Sequence, residues 1–431
     1  MRVAFVIGKF PSLSETFILD QITGLIDRGH EVDIYAERPR STQKAHPEVK
    51  RYGLIRRTTY LPTPPKSILL RFFLALRIIA GAIFVHPAIV MRALNVRRYG
   101  RHAGSMRLIY AIAPFSRYPR HYDVIHCHFG PYGQLGSFLR DAGLITGKVV
   151  TTFHGADVSA AILRYGQYVY AQLFSSGDLF LPISEYWRAR LIEMGCPAEK
   201  IVVHRMGINC DNFEFKARCP DIDGTVRFIS VCRLVEKKGI EYAIRALAML
   251  VATGKRLEYD VVGDGPLSSD LKNLALELGV AEMVKFHGWR EREEVVALLE
   301  RASVFIAPSV TSSSGEQEGV PVALMEAMAM GLPVVSTWHS GIPELVVEGR
   351  NGLLVHERDV VALCEKFAYL VDNPDAGAEF GREARAMVAQ KYNIKTLNDK
   401  LVQLFEGLIG NPSASQSGAI VLDLRNIKTP E

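Results

Sequence analysis

The stretch Glu318 to Ala329, EGVPVALMEAMA, is the segment around which the rest of this chain is organised. Its two glutamates, Glu318 and Glu326, are separated by seven residues that include a glycine, a proline and an apolar run. Pro321 fits the first turn of a helix, where its missing N–H costs little. Glu318 then lies in the loop that enters the helix, and Glu326 lies inside the helix. Because the neighbours of Glu326 are apolar, its charge is costly to bury unless a ligand or partner satisfies it.

The predicted start of this helix is suited to a phosphate or a sugar. The free N–H groups of Gly319, Val320 and the first turn carry a partial positive charge. Both glutamates can accept hydrogen bonds from vicinal hydroxyls, because a carboxylate has no donor of its own. A glutamate at a helix start is otherwise a partner of the helix dipole, and one inside a helix is otherwise solvated. The apolar surroundings of Glu326 favour a pocket, which we expect to hold a molecule with sugars on both sides of a diphosphate.

Length and composition indicate a multidomain globular protein. At 431 residues the chain is too long for one ordinary core, so two or three domains are expected. Hydrophobic residues make up 48% and charged residues 23%, which is not the composition of a disordered chain. The six cysteines form no C-x-x-C pair, so we expect a reducing cytosol and neither disulfides nor structural zinc. The N-terminal RVAFVIG enters a strand directly, and no secretory signal is expected.

The net charge of +5 conceals a strongly basic segment. Residues 38–120 contain 17 lysines and arginines and one acidic residue, a balance of +16. The rest of the chain holds 34 basic and 45 acidic residues, a balance of −11. The sequence therefore describes a mostly acidic protein that carries one basic insert, at about residues 62–107.

Within this insert, Ser67–Val85 reads SILLRFFLALRIIAGAIFV, with Arg71 and Arg77 among the apolar residues. It falls short of the roughly 20 apolar residues of a spanning helix and predicts an amphipathic helix at an anionic membrane surface. The alternative is a cover helix packed on its own domain with a solvated basic rim. Nucleic acid is not expected, because no recognised binding motif accompanies the charge. Five further arginines are expected to face anionic lipid: Arg92, Arg97, Arg98, Arg101 and Arg107.

The first part of the chain alternates strands and helices. It opens with the strand Val3–Ile7, and the strand Val149–Phe153 runs into His154 to Asp157. A last strand is predicted at Ile201–His204. This order indicates a doubly wound α/β domain, whose ligands bind in loops at the carboxyl ends of the strands. Side chains in such loops project into the cleft, which favours a function for His154.

The second part begins a new α/β domain with the strand Arg227–Val231. Arg233 and Lys238 follow in the loop before a helix, where a pair of cations suits a diphosphate. The strand Val284–His287 leads to Arg290 in another loop of the same edge, which is expected to hold a base.

Loss of periodicity at residues 209–224 places the domain boundary near residue 212. A short segment after the second domain is predicted to be a helix that crosses back to the first domain, and no structure is assigned to the tail. The predicted parts are therefore residues 1–212, 213–392, 393–410 and 411–431.

With FHGAD, CRLVEKKG, HGW and EGVPVALMEAMAMGLPVV in this order, the chain resembles a family 4 glycosyltransferase of the GT-B type over about residues 1–405. The combination of E-x7-E with R-x4-K is specific, although each element alone is weak. The N-terminal KFPSLSETFI is similar to exopolysaccharide and colanic-acid-type members. The resemblance implies two Rossmann-like doubly wound parallel-sheet domains that face each other across a cleft, the first for the acceptor and the second for the nucleotide sugar.

The resemblance also implies an activity. Such enzymes transfer a sugar from a nucleotide-diphosphate donor with retention of configuration and need no metal or other cofactor. We expect a UDP-sugar by default, a lipid-linked glycan acceptor in exopolysaccharide synthesis, and a peripheral location on the inner face of the cytoplasmic membrane. The alternatives are a sugar-nucleotide epimerase or hydrolase of the same architecture, and a non-catalytic membrane-bound scaffold.

Four catalytic residues are implied. Arg233 and Lys238 would hold the diphosphate and stabilise charge on the departing nucleotide. Glu318 would lie against the transferred sugar, and His154 would face the reacting centre from the first domain. The other implied contacts are to the donor, by Gly8, Lys9, Arg290, Gly319, Val320 and Glu326, and to the acceptor, by Ser14, Glu15 and Asp157.

Overall fold

The computed structural model describes residues 1–12, 15–38, 46–84, 87–115, 120–218 and 224–410. The predicted acceptor contact at Ser14 and the tail 411–431 lie outside these residues. The described chain forms two six-stranded sheets in which all neighbouring strands are parallel. The predicted α/β class with two doubly wound parallel sheets is therefore confirmed.

The first sheet has the strand order β3-β2-β1-β4-β5-β6. Its strands are apolar runs, and six consecutive residues of β1 are buried, as expected for a parallel sheet covered on both faces. The order reverses between β1 and β4, so the crevice for ligands is expected at their carboxyl ends. The strands are β1 Arg2–Lys9, β2 Glu31–Glu37, β3 Thr58–Tyr60, β4 Arg120–His128, β5 Ile145–Phe153 and β6 Leu179–Pro182.

Ten helices accompany this sheet in the described residues. Four of them, α3 to α6, form the basic insert between β3 and β4, where the sequence predicted one helix. No helix among the described residues combines the length and the apolar character needed to cross a bilayer. The helices are α1 Thr16–Asp27, α2 Pro47–Arg51, α3 Ile68–Ile83, α4 Pro87–Ala93, α5 Val96–Gly104, α6 Arg107–Ile112, α7 Gly130–Asp141, α8 Ala156–Tyr165, α9 Ala171–Ser176 and α10 Glu185–Glu193.

The second sheet has the order β12-β11-β10-β7-β8-β9, which reverses between β10 and β7. Its strands are β7 Val226–Val231, β8 Leu257–Val262, β9 Val284–Gly288, β10 Val304–Ala307, β11 Val334–Thr337 and β12 Leu353–Val355. Its helices are α11 Ile240–Val251, α12 Ser268–Glu277, α13 Arg292–Arg301, α14 Val322–Ala329, α15 Val360–Asp372 and α16 Pro374–Lys391.

The last described helix, α17 (Ile394–Ile409), lies against α1 of the first domain. Its Leu401 and Phe405 are fully buried in a core made mainly by the first sheet. Asn398 approaches so closely that a Cβ on Gly24 would lie 1.9 Å from its Nδ2. The lack of a side chain at Gly24, in α1, therefore lets α17 pack onto the first domain.

Two local predictions need correction. The predicted strand Ile201–His204 is reduced to an isolated bridge between Ile201 and Phe180, although the N–H of His204 still donates to the carbonyl of Pro182. The segment thus follows the edge of β6 without becoming a regular strand. Pro321 is the N-cap of α14 and not a residue of its first turn, so the helix begins one residue later than expected.

Candidate active site

A buried ion pair joins Glu318, in the loop before α14, to the lysines of the segment that follows β7. The carboxylate of Glu318 is 2.6 Å from Nζ of Lys238 and 3.2 Å from Nζ of Lys237, and the residue is 7% exposed. Burial alone would raise the pKa of Glu318, but the two ammonium groups outweigh it and hold the pKa at about 2. Burial likewise works against the charge of Lys238, yet Glu318 raises its pKa. Both partners are therefore ionised at neutral pH.

Arg233 adds a second cation beside this pair. It is exposed in the loop after β7, and its charge acts to lower the pKa of Lys238, which places the two groups near each other. Among the described residues no carboxylate forms a salt bridge with Arg233. The guanidinium of Arg233 is thus available to meet an anion at this edge of the second sheet.

The backbone between Glu318 and α14 offers further donors. Within the described residues, no protein group accepts a hydrogen bond from the N–H of Gly319 or Val320. The N–H groups of the first turn of α14 add to these donors, because a helix start leaves them without intrahelical partners. Unsatisfied donors beside a cation cluster suit the oxygens of a phosphate or a sugar.

Gly319 is also the point where the second domain meets the loop of His154. A Cβ at this glycine would lie 2.4 Å from the carbonyl oxygen of His154 and 2.7 Å from Cδ1 of Ile183. Such separations are far inside van der Waals contact, so only glycine fits. The predicted residues Glu318, Gly319 and His154 are therefore brought together across the cleft.

The ring of His154 is held inside the first domain. Its Nε2 is 3.0 Å from Nδ1 of His128, and its Nδ1 is 3.2 Å from Sδ of Met206. The rings of Phe17 and Phe129 pack against it at centroid distances of 4.7 and 4.6 Å. Burial lowers the pKa of His154 to about 3, so the ring is neutral. It is thus the main chain of His154 that contacts the second domain, and its role in the reaction stays a prediction.

Asp157 holds the loop of His154 in place. Its carboxylate accepts hydrogen bonds from the backbone N–H groups of His154 and Gly155, both at 3.0 Å, and of Gly130, at 2.9 Å. Burial raises its pKa to about 6, and the backbone donors oppose that shift. These bonds give Asp157 a structural task that the sequence did not predict, while its predicted contact with the acceptor stays untested.

Glu326 faces the first domain from α14. Burial raises its pKa, and the nearby Arg292 opposes the shift. Burial also raises the pKa of Asp20, in α1, to about 6; Arg292 opposes and Glu326 adds to this shift. The charge of Arg292 thus acts on both carboxylates, and the effect of Glu326 on Asp20 places Glu326 near α1 of the first domain. The predicted acceptor of ribose hydroxyls lies in such a setting, where added hydroxyl donors would stabilise the charges.

Three predicted residues lie near the end of β1: Gly8, Lys9 and Glu15. Burial raises the pKa of Glu15 and the charge of Lys9 opposes it, so the two groups are near each other. A Cβ at Gly8 would lie 3.3 Å from the hydroxyl of Tyr132. Their predicted contacts with donor and acceptor stay predictions.

Arg290 follows β9 at the same edge of the second sheet as Arg233. Its described ion pair is a long one, 3.8 Å to Glu294, and its side chain is 41% exposed. No described contact joins this guanidinium to Glu318 or Glu326. The structure therefore leaves Arg290 at the rim, apart from the buried pair, and its predicted contact with a base is untested.

Sequence reasoning missed several residues of the site. Lys237 was passed over beside Lys238, although either lysine of the KKG motif could have been chosen. His339 and Glu357 support the loop of Glu318 and were not considered. The signal available for His339 was its position just after the strand β11, as His154 lies just after the strand β5.

Two doubly wound parallel-sheet domains with charged residues at their facing edges define a glycosyltransferase of the GT-B class. Two family models cover most of the chain: one described as Glycosyltransferase Family 4, over residues 14–212, and one described as Glycosyl transferases group 1, over residues 213–387.

Comparisons with individual proteins agree with this class. The chain is 41% identical to the putative colanic acid biosynthesis glycosyltransferase WcaL of Salmonella typhimurium over 94% of its own length and 100% of that protein. It is 38% identical to the amylovoran biosynthesis glycosyltransferase AmsK of Erwinia amylovora over 95% of its length and 100% of that protein. The chain belongs to the family 4 glycosyltransferases and is an enzyme of that activity, as the sequence predicted.

Solved structures show the same fold. The complex of Anabaena Alr3699/HepE with UDP and glucose superposes with a TM-score of 0.67 at 17% identity and covers 94% of this chain and 100% of that one. WaaG, a glycosyltransferase involved in lipopolysaccharide biosynthesis, gives a TM-score of 0.64 at 16% identity over 94% and 100% of the two chains. The predicted GT-B fold is thereby confirmed.

Proposed function

We propose that this enzyme transfers a sugar from a nucleotide-diphosphate sugar, with retention of anomeric configuration, to a lipid-linked glycan in the synthesis of an exopolysaccharide or other surface polysaccharide. The observation that carries the donor class is the buried pair of Lys238 and Glu318 beside the exposed Arg233. The names of WcaL and AmsK, which concern colanic acid and amylovoran, support the biosynthetic role. The UDP bound to Alr3699/HepE supports a UDP-sugar as the donor.

The chemistry of the proposed step agrees with the charges of the site. Cleavage of a glycosyl–phosphate bond develops positive charge on the sugar and negative charge on the diphosphate. Arg233 and Lys238 then stabilise the transition state more than the ground state, because the leaving group gains charge as the bond breaks. In this proposal the protein's own cations neutralise the diphosphate, and no metal is needed.

Retention is proposed to follow from displacement on one face of the sugar. The acceptor oxygen bonds to the anomeric carbon, the bond from that carbon to the phosphate oxygen breaks, and the acceptor proton passes to an oxygen of the leaving diphosphate. The ionised carboxylate of Glu318 fits a position beside the transferred sugar, where it accepts hydroxyl hydrogens. Contact between the domains at Gly319 supports exclusion of water, which would otherwise hydrolyse the donor.

The donor proposal predicts selective thermal stabilisation by one sugar nucleotide from a panel of UDP-glucose, UDP-galactose, UDP-N-acetylglucosamine, UDP-glucuronate and GDP-mannose. Donor at a hundred times its Kd should stabilise the fold by about 2.7 kcal/mol. Glu326→Ala should lose most of this shift without a lower Tm in the absence of donor, because a poorly solvated carboxylate beside Asp20 is removed. An exposed glutamate, Glu277→Ala, serves as the control.

An unchanged shift in Glu326→Ala would contradict the assignment of the ribose site. Proton NMR of the stabilising donor without acceptor separates the rival activities. Rapid loss of the anomeric signal to free sugar would indicate a hydrolase, and a new sugar nucleotide would indicate an epimerase.

We further propose that the basic insert binds the inner face of the cytoplasmic membrane. One face of α3 packs on its own domain, since Ala75 and Ala82 are buried there. The alternative, a cover helix packed on its own domain, explains the burial of this face but not the exposure of the other apolar side chains. Much of the rest of the surface of α3 exposes large apolar side chains, which favours a membrane-binding surface. These are Ile68, Leu69, Leu70, Phe72, Phe73 and Leu76.

The arginines of the insert support this proposal less than their number suggests. Arg98 pairs with Asp141 at 2.8 Å, and Arg107 pairs with Glu37 at 2.6 Å. Arg92 donates to the carbonyl of Asp141. These three guanidinium groups are engaged within the protein, so the expectation that all five face lipid was too broad. Apolar burial, more than charge, is therefore proposed to drive the binding.

The membrane proposal predicts that the double variant Leu69→Ser, Phe73→Ser loses most of its flotation with phosphatidylglycerol vesicles. Each buried side chain contributes about 1.5–3 kcal/mol, so the bound fraction should fall at least about tenfold. Leu276→Ser alters an equally exposed apolar residue of the second domain and should float like the wild type. Equal flotation of the double variant and the wild type would sink the proposal.

A further inference from the structure

The loop of Glu318 is fastened by the segment that follows β11. The backbone N–H of Glu318 donates to Nε2 of His339 at 2.9 Å. At the next peptide, Oγ of Ser340 donates to the carbonyl of Glu318 at 2.7 Å and lies 3.1 Å from that of Gly319. His339 and Ser340 are consecutive residues of one loop. One accepts a hydrogen bond from the backbone of Glu318, and the other donates one to it.

These contacts fix the tautomer of His339. Because Nε2 accepts from the N–H of Glu318, the ring hydrogen must be on Nδ1, which lies 2.5 Å from Oε1 of Glu357. The side chain of His339 is 0% exposed, so no water competes for either nitrogen. A hydrogen on Nε2 would instead face the N–H of Glu318 and break the contact.

Glu357 is itself held firmly. Its carboxylate accepts from the backbone N–H of Thr311 at 2.8 Å and from the hydroxyl of Thr311 at 3.1 Å. Interaction with His339 and Thr311 outweighs burial and lowers the pKa of Glu357, which keeps it an acceptor. The N–H of Glu318 thus donates to His339, His339 donates to Glu357, and Thr311 donates to the same carboxylate from the other side.

The backbone of Ser340 indicates that this arrangement is enforced by its surroundings. Ser340 has a φ of 46°, in the left-handed region that non-glycine residues rarely adopt. Such conformations persist where neighbouring contacts over-determine them. Here those contacts include the hydrogen bond from the hydroxyl of Ser340 to the carbonyl of Glu318, with the carbonyl of Gly319 close by.

We propose that His339 is a positioning residue for transfer: it sets the backbone of Glu318 so that the carboxylate meets Lys238 and the N–H groups of Gly319 and Val320 stay directed into the cleft. This inference rests on the proposed role of Glu318 against the transferred sugar. It assigns His339 no contact with donor or acceptor. Loss of the contact should therefore lower turnover more than it weakens nucleotide binding.

Two amide substitutions separate the two nitrogens of the ring. In His339→Gln the side-chain oxygen can occupy the place of Nε2 and accept from Glu318. In His339→Asn the side-chain amide lies near the place of Nδ1, where it can donate to Glu357 but cannot reach Glu318. Turnover is measured with the donor that most stabilises the wild type and a lipid-linked glycan extract, and binding is measured with UDP by calorimetry.

His339→Asn is expected to lower kcat about 10–100-fold, as a small misplacement of a catalytic group does, with the Kd for UDP within about threefold of the wild type. His339→Gln should keep kcat within about fivefold. Equal losses in both variants, or a kcat of His339→Asn within threefold of the wild type, would overturn the proposal.

If His339→Asn fails to fold, Ser340→Ala tests the other half of the same contact and should lower kcat about tenfold at unchanged UDP affinity. An unchanged kcat there would also overturn the inference. Failure of the inference is distinguishable from failure of the proposed function, in which the wild type would form no transfer product, and from failure of the proposed role of Glu318, in which Glu318→Gln would retain full transfer.

Discussion

Replacing Lys238 with alanine is expected to lower kcat for transfer about 100–1000-fold, the largest loss that we expect among the proposed substitutions. The variant loses a cation where negative charge develops on the leaving diphosphate. It also loses the nearer partner of Glu318, whose carboxylate is 2.6 Å from Lys238. Burial would then raise the pKa of Glu318, because Lys237 alone remains to oppose it. Kinetics with the stabilising donor measure the loss of transfer. Thermal unfolding of the same preparation measures the effect of leaving Glu318 without its nearer partner.

Two further lysines provide controls for this experiment. Lys285→Ala removes an exposed partner of Glu258 in the second domain and should leave kcat within about twofold. Lys237→Ala should have an intermediate effect, because its ammonium lies 3.2 Å from Glu318 and 3.7 Å from Glu316. A Lys238→Ala enzyme that transfers at the wild-type rate would remove Lys238 from the catalytic site.

The fold class followed from sequence because it depends on local pattern. Apolar runs such as Val3–Ile7 and Arg227–Val231 alternate with helices, and this order alone indicates parallel sheets. The segment Ile201–His204 has a similar composition but pairs through one bridge to Phe180, the second residue of β6. Its failure to form a strand depends on its place at the sheet edge, which no local pattern records.

The site was predictable as a set of residues but not as a set of contacts. The E-x7-E spacing singled out Glu318 and Glu326, yet it placed both as acceptors for sugar hydroxyls. The structure adds that the ionised carboxylate of Glu318 is paired with Lys238, 80 residues away in sequence, which the spacing did not indicate. Such pairing arises because the loops after β7 and before α14 meet at one sheet edge, and this adjacency becomes visible only with the strand order.

His154 illustrates the opposite difficulty. Its place after β5 was predicted, and the structure brings its main chain to Gly319. The orientation of its ring depends on His128 and Met206, which are 26 and 52 residues away. Neither partner carries a motif, so the neutral, buried state of the ring was not accessible from sequence.

Gly319→Ala is expected to give the second largest loss of transfer, about 100-fold in kcat. The added methyl group would lie 2.4 Å from the carbonyl oxygen of His154, so either the loop of Glu318 or the loop of His154 must move. Neither loop yields easily, because Asp157 holds one and Ser340 holds the other. The strain should also lower stability by about 1–3 kcal/mol, as overpacking does.

The matched control is Gly407→Ala in α17, where a Cβ meets nothing within 4 Å. Alanine is the better helix former by about 1 kcal/mol, so this variant should be slightly stabilised and fully active. UDP binding should survive in Gly319→Ala, since Arg233 and Lys238, the cations proposed to face the diphosphate, are unchanged. The alanine at position 319 therefore tests the contact between the domains by itself. Wild-type kcat in Gly319→Ala would mean that transfer occurs in a more open state, in which the loops of Glu318 and His154 do not touch.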